Sequence, residues 1–70
     1  MKKYSEIFAE NLHRLRRQMK MTQEQLADKI CYTEKAVSKW ESGETKPLKK
    51  LHEKLAQVLG CTVEELRGED

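Results

Sequence analysis

Five side chains that carry hydrogen-bonding groups, Glu34, Lys35, Ser38, Lys39 and Ser42, fall on one arc when residues 34–42 are wound at about 100° per residue. Ala36, Val37 and Trp40 fall on the other. Such a helix buries one side and offers ammonium donors, hydroxyls and a carboxylate on the other, a face of mixed charge suited to reading a partner's polar groups. Other chemistries find less support. Cys31 and Cys61 lack CxxC spacing, and His13 and His52 stand at unrelated intervals, so no metal site and no disulfide is expected. Both cysteines read as small apolar residues at helix junctions. No nucleophile, base and orienting group can be assembled, so the chain reads as a non-enzyme that needs no cofactor and has no evident small-molecule ligand.

A solvated polar face is common to surface helices, so the elements around it carry the argument. Thr22-Gln23-Glu24-Gln25 has the form of a capping box and starts a helix that buries Leu26, Ala27 and Ile30. That helix must end near Ile30, because Cys31-Tyr32 leads to Thr33, another cap-type residue. A short helix, a tight turn and a second helix with a buried triplet form the layout that presents the second helix to a DNA major groove. Upstream, a helix opening at Ser5 places Phe8, Leu12, Leu15 and Met19 on one stripe. Gly43 and Pro47 bound a turn. Beyond it Leu48, Leu51, Leu55 and Leu59 recur at helical spacing, with His52 in the same arc as a partly buried packing residue. Gly60 signals a C-cap, and Thr62-Val63-Glu64-Glu65 is a further capping box for a last short helix that packs Val63 and Leu66. The expectation is an all-α compact bundle of about five short helices, without strand-like alternation.

Seventy residues bound this to one domain, with an ordered core expected over about residues 5–67. Charged residues make up 37% of the chain, yet the net charge is only +2, so it is no polybasic coat and any nucleic-acid binding must use a local positive face. The end is acidic, with Glu64, Glu65, Glu69 and Asp70 against Arg67. No apolar run approaches a membrane span, and Met1-Lys2-Lys3-Tyr4-Ser5 leads into an amphipathic stretch instead of a signal-peptide core, so a cytoplasmic protein is expected, without a membrane partner.

The blocks Leu15-Arg16, Met21 to Ala27, Ala36 to Gly43, Pro47 and Leu55 to Gly60 agree in order and spacing with one family. The chain resembles the Cro/C1-type (XRE-family) helix-turn-helix domains, which are phage-repressor-like, from Ile7 to Leu66. The resemblance implies a lambda-repressor-like bundle in which the second and third helices form the helix-turn-helix. It implies binding of a double-stranded DNA operator, commonly as a homodimer whose last two helices form the joint. Glu34, Lys35 and Lys39, with Ser38 close by, match base-reading positions. Lysine can donate to guanine O6 or N7 and glutamate can accept from cytosine N4. Glu34 stands in the first helical turn, so it either discriminates bases or only favours the helix dipole. Gln23, Ser42, Thr45 and Lys46 are the implied phosphate contacts, with Arg17 and Lys20 within reach of a flanking phosphate. Arg16 and Glu41 match residues that form an ion pair between the first and third helices in relatives, and both flank their helix's buried arc.

The chain also departs from the pattern. Cys31 stands where relatives favour glycine, at a helix end that often needs positive φ. Ala36 replaces a group that touches phosphate in some relatives, and Lys49 and His52 occupy usually apolar positions after Pro47. The leading expectation is a transcriptional regulator, a repressor, that places helix 34–42 in the major groove. The alternative is a protein-interaction module such as an antitoxin or adaptor on the same fold, which would not need the positive charge of the Lys35 and Lys39 face.

Overall fold

The computed structural model describes residues 4–68, with side chains from Glu6 onward. Glu69 and Asp70, half of the acidic end, lie outside the described residues. Five helices follow in order: α1 (Tyr4–Gln18), α2 (Gln23–Ile30), α3 (Glu34–Ser42), α4 (Lys49–Leu59) and α5 (Val63–Arg67). No strand occurs among the described residues, and none of these helices is long and apolar enough to cross a membrane. The molecule measures 32 × 23 × 22 Å.

Local sequence sets most of the ends. Thr22 and Thr62 each accept a hydrogen bond from the amide three residues on, while Gln25 and Glu65 reach back to the cap amide, so both predicted capping boxes form. Thr33 caps α3 by accepting from the Ala36 amide. At the C-terminal ends of α2 to α5 the cap residue is left-handed, at Cys31, Gly43, Gly60 and Gly68. α1 closes the same way through Lys20, φ 57°. The paired bonds Lys20 N–H to Arg17 O and Met21 N–H to Arg16 O satisfy carbonyls the helix leaves open. Cys31, φ 63°, repeats this with its own amide bonded to Asp28 O and the Tyr32 amide to Ala27 O. The turn before α3 thus keeps the shape glycine would give it, and the non-glycine residue carries the strain.

The core gathers Phe8, Leu12 and Leu15 of α1, Leu26, Ala27 and Ile30 of α2, Val37 and Trp40 of α3, Leu51, Leu55 and Leu59 of α4, and Leu66 of α5. α1 packs on α3 and α5, α2 on α3 and α4, and α4 on α5. Several sequence expectations are corrected. α1 is helical from Tyr4, so Ser5 lies inside the helix and is not its N-cap; its side chain lies outside those described. Met19 is 48% exposed, because the helix ends at Gln18 and the left-handed turn at Lys20 carries the chain away from the stripe. Leu48 is 60% exposed, since it precedes α4 as an extended N-cap instead of joining its apolar face. Cys31 is exposed and serves the turn by its backbone, whereas Cys61 is half-buried against the core, with burial pushing its thiol up from the ordinary value. His52 is 2% exposed, more deeply buried than expected.

Candidate nucleic-acid interface

Glu34, Lys35, Ser38, Lys39 and Ser42 all lie on the exposed side of α3, while Val37 and Trp40 are buried and Ala36 is half-buried. Among the described residues, no side-chain hydrogen bond or ion pair engages Glu34, Lys35 or Lys39. The end of the helix differs. Ser42 Oγ donates to the Lys39 carbonyl at 2.9 Å and lies 3.4 Å from the Glu44 amide, which donates to it. The hydroxyl therefore directs its one hydrogen inward, and in this conformation Ser42 has none left for a phosphate. Thr45 and Lys46 are exposed in the turn before Pro47, where the Glu44 and Thr45 amides both point back to the Lys39 carbonyl.

Beneath this face sits a polar cluster that ties three segments together. Arg16 Nε donates to Glu41 Oε2 at 2.6 Å and its Nη2 to Oε1 at 3.0 Å, a two-pronged pair whose side chains are only 11% and 5% exposed. The same guanidinium donates through Nη1 to the Met21 carbonyl at 2.6 Å, fixing the α1–α2 turn. Gln23, the first residue of α2, donates one amide hydrogen to Glu41 Oε1 at 3.2 Å. His13 Nδ1 is 2.9 Å from the same oxygen and 3.2 Å from Arg16 Nη2. An acceptor nitrogen would repel the carboxylate, so Nδ1 carries the hydrogen and donates to Glu41. Burial pushes the Glu41 carboxyl up, but the hydrogen bonds from Arg16, His13 and Gln23, with the Arg16 charge, outweigh it and hold the group below its ordinary value. Glu41, at the end of α3, is thus an ionised acceptor to which α1 and the start of α2 are both bonded.

The structure accordingly brings Arg16, Gln23 and Glu41 together beneath the helix and leaves Glu34, Lys35, Ser38 and Lys39 outward. Two participants escaped sequence reasoning. His13 joins the cluster from three residues before Arg16 on the same helix face, a spacing that marked it as a neighbour once Arg16 was chosen. Tyr32 packs its ring against Trp40 at 5.4 Å between centroids, steadying the α2–α3 turn from the other side.

The helix-turn-helix family model matches residues 12–66. This chain belongs to the helix-turn-helix family. The helix-turn-helix domain is 37% identical over 59 residues to the HTH-type transcriptional activator BcrR of Enterococcus faecalis, a match that spans 84% of this chain and 29% of that protein. Among solved structures it is similar to hydroxypropylphosphonic acid epoxidase from S. wedmorenis, with a TM-score of 0.83, 35% identity, and coverage of 89% of this chain and 33% of that one. The structure titled FeII HppE superposes with a TM-score of 0.85 at 34% identity, covering 91% of this chain and 34% of that chain. The chain therefore spans about a third of the length of each of these proteins.

Proposed function

We propose that this chain binds double-stranded DNA sequence-specifically, laying α3 in the major groove to regulate transcription. The observation that carries the reading is the outward row Glu34, Lys35, Ser38 and Lys39 on a short helix whose far end is fixed by the Arg16–Glu41 pair. Lysine donors address guanine edges, and the Glu34 carboxylate accepts from a cytosine amino group. Gln23 keeps one amide hydrogen beyond its bond to Glu41 and, with Thr45 and Lys46, flanks this face as a phosphate contact. Ser42 would join them by turning its hydroxyl from the Lys39 carbonyl to a phosphate. A homodimer would read half-sites about 34 Å apart, and occupancy of an operator is enough for repression, so we read the chain as a cytoplasmic repressor and not as an enzyme.

Selection of duplexes from a random pool, repeated at two salt concentrations, tests the proposal. An enriched motif should emerge, bound less tightly at higher salt. Lys35→Ala or Lys39→Ala should each weaken binding to that motif by about 1–3 kcal/mol. Unchanged affinity in both variants would remove α3 as the reading element. A second reading, a module that docks on protein, is favoured by one observation: the matched part of the epoxidase is a third of a longer enzyme chain. Absence of any enriched duplex, with the fold intact, would favour it.

A further inference from the structure

His52 of α4 is 2% exposed, its ring tilted 31° against that of Phe8 of α1 with centroids 4.9 Å apart. Arg67 of α5 donates from Nε to His52 Nδ1 at 2.9 Å. Because an arginine only donates, Nδ1 must be the bare acceptor nitrogen and the ring's hydrogen must sit on Nε2, which has no hydrogen-bond partner. Among the described residues, the charged groups acting on the ring are Arg67 from α5, Lys46 from the preceding turn and Lys49 from α4, all cationic, and Phe8 of α1 brings no charge. The Pro47 carbonyl favours the charged ring, but burial and the cations prevail and hold His52 below its ordinary value.

We propose that His52 is a proton-operated clasp for α5: a proton placed on Nδ1 evicts Arg67 and releases the last helix, leaving α2 and α3 folded. A proton on Nδ1 removes the acceptor Arg67 uses and sets two cations in contact, in a site already facing two lysines. Water must then reach the ring, and the path of least resistance is the α5 side. α1 contributes Phe8 and two further core side chains, Leu12 and Leu15, and α4 is the ring's own helix. α5 has only five residues, too few to hold a helix alone. Besides Arg67 it is held by buried Leu66, by Asn11 donating to the Leu66 carbonyl at 3.2 Å, and by Gly68, where a Cβ would come within 2.6 Å of Ile7. α5 packs on α1 and α4, so its release leaves the Arg16–Glu41 cluster and the α2–α3 pair in place.

Amide hydrogen exchange of the intact chain, corrected for intrinsic rates, tests the clasp between pH 7.5 and 5. Opening that takes up one proton at a ring with the ordinary value of about 6.5 should speed exchange of the Leu66 and Gly68 amides by up to about thirtyfold, while the Trp40 amide stays protected. His52→Gln, whose amide can accept from Arg67 without titrating, should abolish the pH dependence. Should that variant fail to fold, the native chain still decides: the His52 ring signal in NMR must titrate with the same midpoint as α5 opening. Equal acceleration at Trp40 and Leu66, a His52→Gln chain that keeps the pH dependence, or a ring midpoint apart from the α5 midpoint would each overturn the proposal.

Discussion

Replacing Arg16 by Met and Glu41 by Leu, singly and together, measures what the buried pair contributes. Each single change leaves a charged or strongly polar group in a site where its partner's side chain was 11% or 5% exposed. Orphaning one member of a buried pair costs about 3–5 kcal/mol, and in Arg16→Met the Met21 carbonyl loses its donor for about a further 1 kcal/mol. At about 0.05–0.15 kcal/mol per residue the whole domain has about 3.5–10 kcal/mol, so either single variant stands near the edge of folding. The double variant has no orphaned charge and should lose far less than the sum, giving a coupling of at least about 2 kcal/mol. Urea unfolding followed by Trp40, the chain's sole tryptophan, and by circular dichroism supplies the four stabilities, with sulfate added if a single variant is partly unfolded. Additivity within about 0.5 kcal/mol would refute the pair as an energetic unit.

Cys31→Gly should stabilise the chain by about 0.5–1 kcal/mol: the left-handed conformation costs an ordinary residue about 1–2 kcal/mol, glycine returns part of that as unfolded-state entropy, and the exposed thiol gives up no packing. A thermal scan should place its midpoint about 2–8 °C higher, and a lower midpoint would contradict the strain assigned to this turn. Acidification should destabilise in two stages. Both His52 and Glu41 sit below their ordinary values when folded, so the unfolded chain binds protons first and stability falls with pH. The histidine loss begins below about pH 6.5 and the carboxylate loss below about pH 4.5; a stability that rises from pH 7 to pH 5 would contradict the histidine sign, and one that rises below pH 4.5 the carboxylate sign. Glu34→Gln separates base discrimination from support of the helix dipole: with Thr33 supplying the cap, the change should lower stability by no more than about 0.3–1 kcal/mol and relax preference at one base position of a selected duplex. A duplex preference left unchanged at every position would assign Glu34 to the helix alone.

The α2–α3 unit was legible because its signals are local. Thr22 with Gln25, Thr33 and Gly43 each announce a helix end within a four-residue window, and the structure places the ends there. Two of the five left-handed caps were harder, because Lys20 and Cys31 are residue types that disfavour the conformation they adopt: Cys31 was reached through relatives that favour glycine there, while nothing local marks Lys20. Periodicity misled at Met19 and Leu48 for one reason: each continues a helical spacing by one step beyond the end of its helix. The pair Arg16–Glu41 was reached through family resemblance. The inclusion of His13 and Gln23 was not, since they meet Glu41 across 28 and 18 residues of sequence. His52 shows the same limit, as its apolar surroundings followed from spacing while its partner Arg67 lies on another helix.

The polar cluster under α3 makes physical sense when set beside what the apolar core can do. α3 buries only Val37 and Trp40 fully, three residues apart, and contacts of that kind hold a helix close without strongly fixing its rotation or tilt. A reading face needs both, because hydrogen bonds to base edges fail with small displacements. Glu41 sits one residue beyond Trp40, and its two oxygens are met by a planar guanidinium from α1, a ring nitrogen from α1 and an amide from α2. Bonds of this kind are directional, so they fix the angle of the C-terminal half of α3, while the Thr33 cap and the Tyr32–Trp40 contact fix its start. An apolar replacement of the pair could keep the helix folded and still lose the angle. In the Arg16→Met, Glu41→Leu double variant, DNA affinity should therefore fall further than stability does, and equal losses in the two would mean that the core alone aims the helix.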